Sequence, residues 1–341
     1  MDVISEGTGR LFTDPDADRA REYFRKKSRK QESKLMTIKE AVGKFTKDGD
    51  YFMIGGFGAN RTPMAVCHEL VRQGRKEMGF GGHTSTHDFQ ILCAGKVFNK
   101  VDIAYIIGLE ARGLSFNARK YMQSGEVEIC EWSNYALAAR LKAATMGVSF
   151  VPIRSVMGTD TFERSGAKKV QCPYTGQYYV LVPALYPDVS AIHVHEADIY
   201  GNCRIRGITI SDLDLARASK RLIITAERII RNEEIRRDPT LTVIPFYLAD
   251  AVCEVPYGAY PGNMAYEYFS DEDHLQEWLK VEKDPAEFEK FIDENIYNCE
   301  THFDYIRLHG GMEKMCELRN KELMTLENSQ TEKQAGGKAD G

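Results

Sequence analysis

No Cys-x-x-Cys pair occurs among the eight cysteines. That removes the zinc-ribbon and dithiol motifs, and the expectation is buried, reduced thiols in a cytoplasmic protein. No apolar run approaches the length of a membrane span. Residues 1–34 are polar and lack an apolar segment of the secretory kind, so export is not expected. Positive charge is not in excess: 45 lysines and arginines face 50 aspartates and glutamates, a net charge of -5, with a pI near 6.0. This balance argues against nucleic acid or an anionic membrane as partner. There is no internal repeat and no helix-turn-helix pattern. The chain has 341 residues, enough for one large or two medium domains with a substantial core.

One stretch organises the chain, Asp48 to Leu70. Asp48-Gly49-Asp50 is a turn signal. Tyr51-Phe52-Met53-Ile54 is an apolar run of strand length, suited to a strand buried on both faces. Gly55-Gly56 lets the backbone turn sharply and approach a ligand, because no Cβ intervenes. Thr62 and Pro63 read as the N-cap and first position of a helix that ends near Gly74. Strand, glycine loop and helix start together predict a pocket of free backbone N–H groups at a positive dipole end, suited to a phosphate, a carboxylate or a developing oxyanion. The plainer reading is an ordinary βα turn.

Elsewhere strands and helices alternate. Thr37-x-x-Glu40 is a capping box ahead of Ile38, Ala41, Val42 and Phe45. Gly79-Phe80-Gly81-Gly82 reads as a second glycine turn, followed by His83-Thr84-Ser85-Thr86-His87 in a loop. Helices are expected over 88–94, 115–124, 135–146 and 213–220. Strands are expected over 101–107, 127–130, 150–153, 178–182, 189–194, 222–225 and 251–255. Residues 158–175 read as a surface excursion and 271–323 as charged helices. This alternation predicts an α/β fold with a mostly parallel central sheet and helices on both faces. The organisation expected is a charged N-terminal extension (1–35), one α/β domain (36–320) and a disordered tail (321–341).

The acidic-Gly turn, the apolar strand, Gly55-Gly56-Phe57 and Pro63 six residues after Phe57 resemble the first signature of the family I coenzyme A transferases. Asp48, Gly49, Phe52, Met53 and Ile54 belong to the same match, and the chain departs at Arg61, where the family usually has Gly. The resemblance runs from about Met36 to Tyr268. Gly81-Gly82 with Gly95-Lys96-Val97, the string Asn232 to Thr240, and Asp250-Ala251-Val252 with Pro256-Tyr257-Gly258-Ala259 point to the A (alpha) subunits of the glutaconate CoA-transferase group. It implies pairing with a homologous B (beta) subunit in a hetero-oligomer of αβ pairs. It also implies exchange of coenzyme A between an acyl-CoA and a (di)carboxylate through a glutamyl-CoA thioester. The family's glutamate lies in a Ser-Glu-Asn-Gly string of the beta chain, and no Glu-Asn-Gly occurs here. No catalytic residue is therefore expected in this chain, and coenzyme A enters as substrate with no permanently bound cofactor. Related two-chain hydrolases that open a steroid-derived ring on a CoA thioester carry an essential glutamate in the alpha-like chain. Its counterpart here is Asn134, whose amide cannot act as a base; Glu131, three residues away, is the alternative. Related folds also serve as sugar-phosphate sensors, against which the missing helix-turn-helix counts.

The site residues expected to bind substrate or coenzyme A, or to form the oxyanion loop, are Gly55, Gly56, Phe57, Arg61, Gly81, Gly82, His83 and His87. Arg61 adds a permanent cation with a planar fork, suited to a substrate carboxylate, unless it faces solvent. His83 and His87 lack a third ligand and read as lining of the acyl or CoA cleft, or as plain surface, rather than as a metal site. His193 and His195 share one strand face and read as satisfied core or near-cleft residues. No metal site is expected. Glu233 to Asp238 would normally be a solvated charged face, and its identity to the family string implies a contact at a subunit or a ligand surface.

Overall fold

The four residues Tyr51–Ile54 alternate between two cores. Tyr51 and Met53 enter one hydrophobic cluster, while Phe52 and Ile54 enter another. A strand buried on both faces belongs in the middle of a helix-covered sheet. The computed structural model describes residues 2–106 and 112–336, with the side chains of the last helix as far as Met324. Its strands are β1 (Val3–Glu6), β2 (Tyr51–Ile54), β3 (Met78–Gly82), β4 (Phe98–Ile103), β5 (Glu128–Glu131), β6 (Phe150–Ile153), β7 (Lys168–Gln171), β8 (Tyr178–Pro183), β9 (Val189–Ala197), β10 (Cys203–Arg204), β11 (Arg221–Ile229) and β12 (Ala251–Glu254).

The central sheet has the order β12-β11-β9-β2-β3-β4-β5, with β10 beside β9. Every neighbouring pair along that path is parallel, and only β10 is antiparallel. Helices Ile38–Phe45, Met64–Arg72 and His87–Ala94 fill one face, and Asn134–Met146 and Asp212–Ala218 the other. The first starts with the expected capping box, Thr37 N donating to Glu40 Oε2 at 2.9 Å and Glu40 N to Thr37 Oγ1 at 3.2 Å. Strands β2 to β5 step one way from the centre, and β9, β11 and β12 step the other. The strand order therefore reverses between β2 and β9, and in such sheets ligands bind outside the carboxyl ends at that reversal.

Gly79, Gly81 and Gly82 lie within β3, not in a turn. A Cβ on Gly79 would stand 2.5 Å from Tyr51 Cδ2, and one on Gly81 2.5 Å from the Tyr51 hydroxyl. The ring of Tyr51 covers that strand, and its hydroxyl donates to Asp102 Oδ2 at 2.5 Å. Asp102 also accepts from Trp132 Nε1 at 2.5 Å and lies 2.9 Å from Arg140 Nη1. The ring is thus fixed at both ends. Gly79→Ala is expected to lower stability by ~1–3 kcal/mol, the usual cost of overpacking a filled core. A urea titration checks this: the midpoint falls at constant slope, and an unmoved midpoint would show that the ring can yield.

Several boundaries differ from expectation. The strand anticipated over 101–107 begins at Phe98 and ends at Ile103; residues 107–111 lie outside the described residues. The anticipated excursion at 158–175 contains β7, which joins β1, β8 and β6 in a separate antiparallel sheet, β1-β7-β8-β6. This sheet packs Ile153, Val180 and Val182 into the same cluster as helix Asn134–Met146. Residues 1–34 are accordingly more than a surface extension. β1 forms an edge of the second sheet, helix Ala17–Lys26 buries Ala17 and Ala20, and Lys27 Nζ reaches Asp250 at 2.6 Å. At the other end, helix Gly311–Gly336 occupies most of the stretch expected to be a disordered tail; residues 337–341 lie outside the described residues.

Candidate active site

At the end of β2 the chain turns on Gly56, whose φ is +84°. A Cβ there would stand 2.7 Å from Asn60 O and 2.8 Å from both C and O of Arg61. On Gly55 a Cβ would fall 2.7 Å from Asp212 Oδ1. The Asp212 carboxylate is the hub of the loop. Its Oδ1 accepts from Gly56 N at 2.9 Å, and its Oδ2 accepts from Arg61 Nη1 at 2.6 Å. Arg61 Nη2 donates onward to Ile208 O at 2.5 Å.

Arg61 fits neither of its two expected placements. Its φ of +57° folds the side chain back into the protein, where it is 1 % exposed against a 2 % exposed Asp212. The charge is neutralised inside the chain and is not presented to a substrate carboxylate. The predicted pocket of free donors is likewise filled from within. Gly55 N bonds Ala191 O at 2.9 Å, Phe57 N bonds Asn60 O at 3.0 Å, and Gly58 N bonds Thr84 O at 3.0 Å. Thr62 does not cap the following helix: its hydroxyl donates to Gly58 O at 3.1 Å, and the helix starts at Met64, one residue later than expected. Its far end matches the expectation. Gly74 has φ +66°, and the N–H groups of Gly74 and Arg75 return to Val71 O and Leu70 O at 2.9 and 3.0 Å, a Schellman closure.

The loop after β3 is knitted onto the first. Gly82 leaves the space that Ser85 Oγ fills, 2.0 Å from where a Cβ would stand. Thr86 Oγ1 donates to Gly58 O at 3.1 Å, and Asn134 Nδ2 donates to Thr84 Oγ1 at 3.1 Å. His83 Nε2 lies 3.1 Å from Ser211 Oγ, next to Asp212. The structure therefore brings Gly55, Gly56, Phe57, Arg61, Gly82 and His83 to one place. Gly81 serves the Tyr51 ring instead. His87 turns away: its Nδ1 pairs with Gln90 Oε1 at 3.0 Å, and its ring stands edge-on to Trp278 at 4.7 Å. Burial pulls both His83 and His87 down to about 4, so each is uncharged at neutral pH.

His193 and His195 are satisfied, as expected. His193 bonds Thr225 Oγ1 at 2.8 Å and Glu227 Oε1 at 2.7 Å. His195 Nε2 donates to Ala265 O at 2.8 Å, and its Nδ1 accepts from Arg206 N at 3.1 Å. Glu131 is held by Arg164 Nη1 at 3.0 Å. The charged string forms helix Asn232–Arg237, anchored by Asn232 Nδ2 to Asp198 Oδ2 at 2.7 Å. Sequence reasoning missed Asp212 and Asn263, whose carbonyl accepts from Arg61 N at 2.8 Å. Neither has a local signal; Asp212 reads only as an acidic residue opening a helix, 151 positions from Arg61.

The family model for coenzyme A transferase matches residues 35–255, the span holding the central sheet and both loops. The chain belongs to the coenzyme A transferase family. It is 31% identical to the alpha chain of glutaconate CoA-transferase from Acidaminococcus fermentans, over 82% of this chain and 92% of the relative. A protein of Archaeoglobus fulgidus is 43% identical over 95% of this chain and 73% of its own length. The crystal structure of glutaconate coenzyme A-transferase from A. fermentans superposes with a TM-score of 0.78 at 30% identity, covering 82% of this chain and 94% of that chain. As a CoA-transferase-family member, the chain has the α/β architecture expected from its sequence, and the family's chemistry takes a coenzyme A thioester as substrate.

Proposed function

We propose that this chain is the alpha subunit of a two-chain transferase moving coenzyme A between an acyl-CoA and a (di)carboxylate. A homologous beta subunit supplies the glutamate that attacks the acyl-CoA and carries the glutamyl-CoA thioester. The carrying observation is the state of the carboxylate on the glycine loop. Asp212 is buried, bonded to Gly56 N and neutralised by Arg61, so it is no nucleophile, and the chain contains no Glu-Asn-Gly.

In this reading the loop contributes shape. Gly58 has φ +61°, and a Cβ there would meet nothing within 4 Å, although the residue itself is buried. Phe57, Ile208, Ile210 and Tyr266, on the loop or on segments touching it, are each exposed. An apolar rim of this kind suits a partner face. The hydrolytic alternative is less well supported: Glu131 is paired with Arg164, and Asn134 is an amide. Coenzyme A enters with the substrate, and the transfer draws on no resident cofactor. No described helix is long and apolar enough to cross a membrane. All eight cysteines are free thiols, which supports residence in the reducing cytoplasm.

The test is co-purification with the beta-like chain, then acyl exchange across a panel of carboxylates. The isolated chain is expected to be inactive and the pair active. After incubation with acyl-CoA, intact-mass analysis should find the coenzyme A adduct on the partner. An adduct on this chain, or full activity from it alone, would overturn the reading.

A further inference from the structure

Five of the eight histidines gather where helices Met64–Arg72 and His87–Ala94 meet the C-terminal helices. Rings of His68, His87, His274, His302 and His309 meet one another or Tyr305. Two of them open on a cleft of about 820 Å³ whose wall also holds Glu277. We propose that His274, Glu277 and His309 form a binding site for a divalent transition metal of the zinc type, with water in the fourth position.

One ligand atom from each of the three lies within 4.8 Å of the others. Around a tetrahedral zinc, ligands at ~2.0–2.1 Å stand about 3.4 Å apart, so the His274 and His309 rings, with centroids 3.8 Å apart, must splay around the ion and the carboxylate must make up the remaining contraction. Glu277 can supply it, since its side chain is 54 % exposed and its Oε2 already lies 3.5 Å from His274 Nδ1. The backbone places the pair: residues three apart on helix Glu272–Val281 share a face. His309 arrives from the end of helix His302–Leu308.

The nitrogens are prepared by their outer partners. His274 is 3 % exposed, and its Nδ1 has no hydrogen-bond partner. A buried polar atom left this way is costly unless something binds it. The other nitrogen, Nε2, lies 2.5 Å from the Tyr305 hydroxyl, which can accept its proton. For His309 the tautomer follows from Asn295. The Asn295 amide nitrogen donates to Phe291 O at 2.8 Å, so its Oδ1 faces His309 Nε2 at 2.5 Å. An amide oxygen only accepts, so Nε2 carries the hydrogen and Nδ1 keeps a lone pair. Outer-shell bonds of this type orient metal-ligating imidazoles. Two imidazoles and one carboxylate are a ligand set that suits zinc and leaves a position open. Four cations line the cleft: Arg112 pairs with Glu272 at 2.6 Å and Lys314 with Asp271 at 3.6 Å and Glu317 at 3.4 Å, while Lys280 and Lys283 complete the wall. The three ligands lie beyond residue 255, where the family match ends, so this site does not depend on the transferase reading.

The test uses the full-length chain, stripped with a chelator and titrated with Zn²⁺ by calorimetry and with Co²⁺ by visible absorption. One equivalent should bind, with the intense ligand-field bands of four-coordinate Co²⁺. Glu277→Gln and His309→Gln should each weaken binding at least tenfold while circular dichroism stays unchanged; Glu277 is exposed enough for its variant to fold. Glu300→Gln, an exposed acid outside the cleft, should bind as wild type. Absence of saturable binding, or equal affinity in the wild type and both ligand variants, would overturn the proposal.

Discussion

Gly56→Val is expected to abolish acyl exchange by the assembled complex, with a loss of at least a hundredfold in kcat. The added Cβ meets backbone, at 2.7 Å from Asn60 O and 2.8 Å from Arg61 C and O, and backbone cannot swing aside. The φ of +84° adds strain of its own for a β-branched residue, ~1–3 kcal/mol for a sparsely populated conformation. Relief requires the loop to open, which separates Gly56 N from Asp212 and displaces Phe57. Gly58→Ala is the matched control. Its φ is also positive, but its Cβ meets nothing, so it should cost only ~1–2 kcal/mol. Exchange rates, denaturant midpoints and size-exclusion profiles of both variants with the partner decide the matter. Near wild-type exchange by Gly56→Val would show that the loop is an ordinary turn.

What was legible in the sequence was local. The alternation in Tyr51–Ile54, the capping box at Thr37 and Glu40, and Gly74 closing a helix are each written within a few residues. The structure repeats them. The parallel order of the sheet follows from strands separated by helices of the right length. What failed was decided at a distance. Gly79 and Gly81 look like turn glycines, but they are strand residues because the ring of Tyr51 lies across them. β1 looks like part of a polar extension because its partner β7 is more than 150 residues away, inside a stretch with no periodicity of its own. Arg61 looks like a free cation because Asp212 has no pattern linking it to the loop. In the cluster proposed to bind metal, His274 and Glu277 show helical spacing in the sequence, but His309 joins them only through the packing of a second helix.

The Arg61–Asp212 pair carries the other large expectation. Both side chains are almost wholly buried, with Nη1 and Oδ2 2.6 Å apart. Removing one charge leaves the other without water or counter-ion, which typically costs ~3–5 kcal/mol. Arg61→Met should therefore destabilise by about that much, stranding Asp212 on the Gly56 N–H. Asp212→Asn should approach the same loss, although its amide oxygen can still accept from Gly56 N. Asp212→Ala should lose further, because the Gly56 donor is then left unsatisfied at ~1–3 kcal/mol. The double variant Arg61→Met with Asp212→Asn removes both charges, so its cost should fall short of the summed singles by ~1–3 kcal/mol, the range for directly coupled residues. Substrate selectivity separates this role from direct ligation. Arg61→Lys keeps the charge but loses the second donor to Ile208 O, so exchange should slow equally for matched mono- and dicarboxylates. If the ratio of their kcat/KM values shifted toward the monoacid while stability held, Arg61 would be a substrate ligand after all and the clamp would fall.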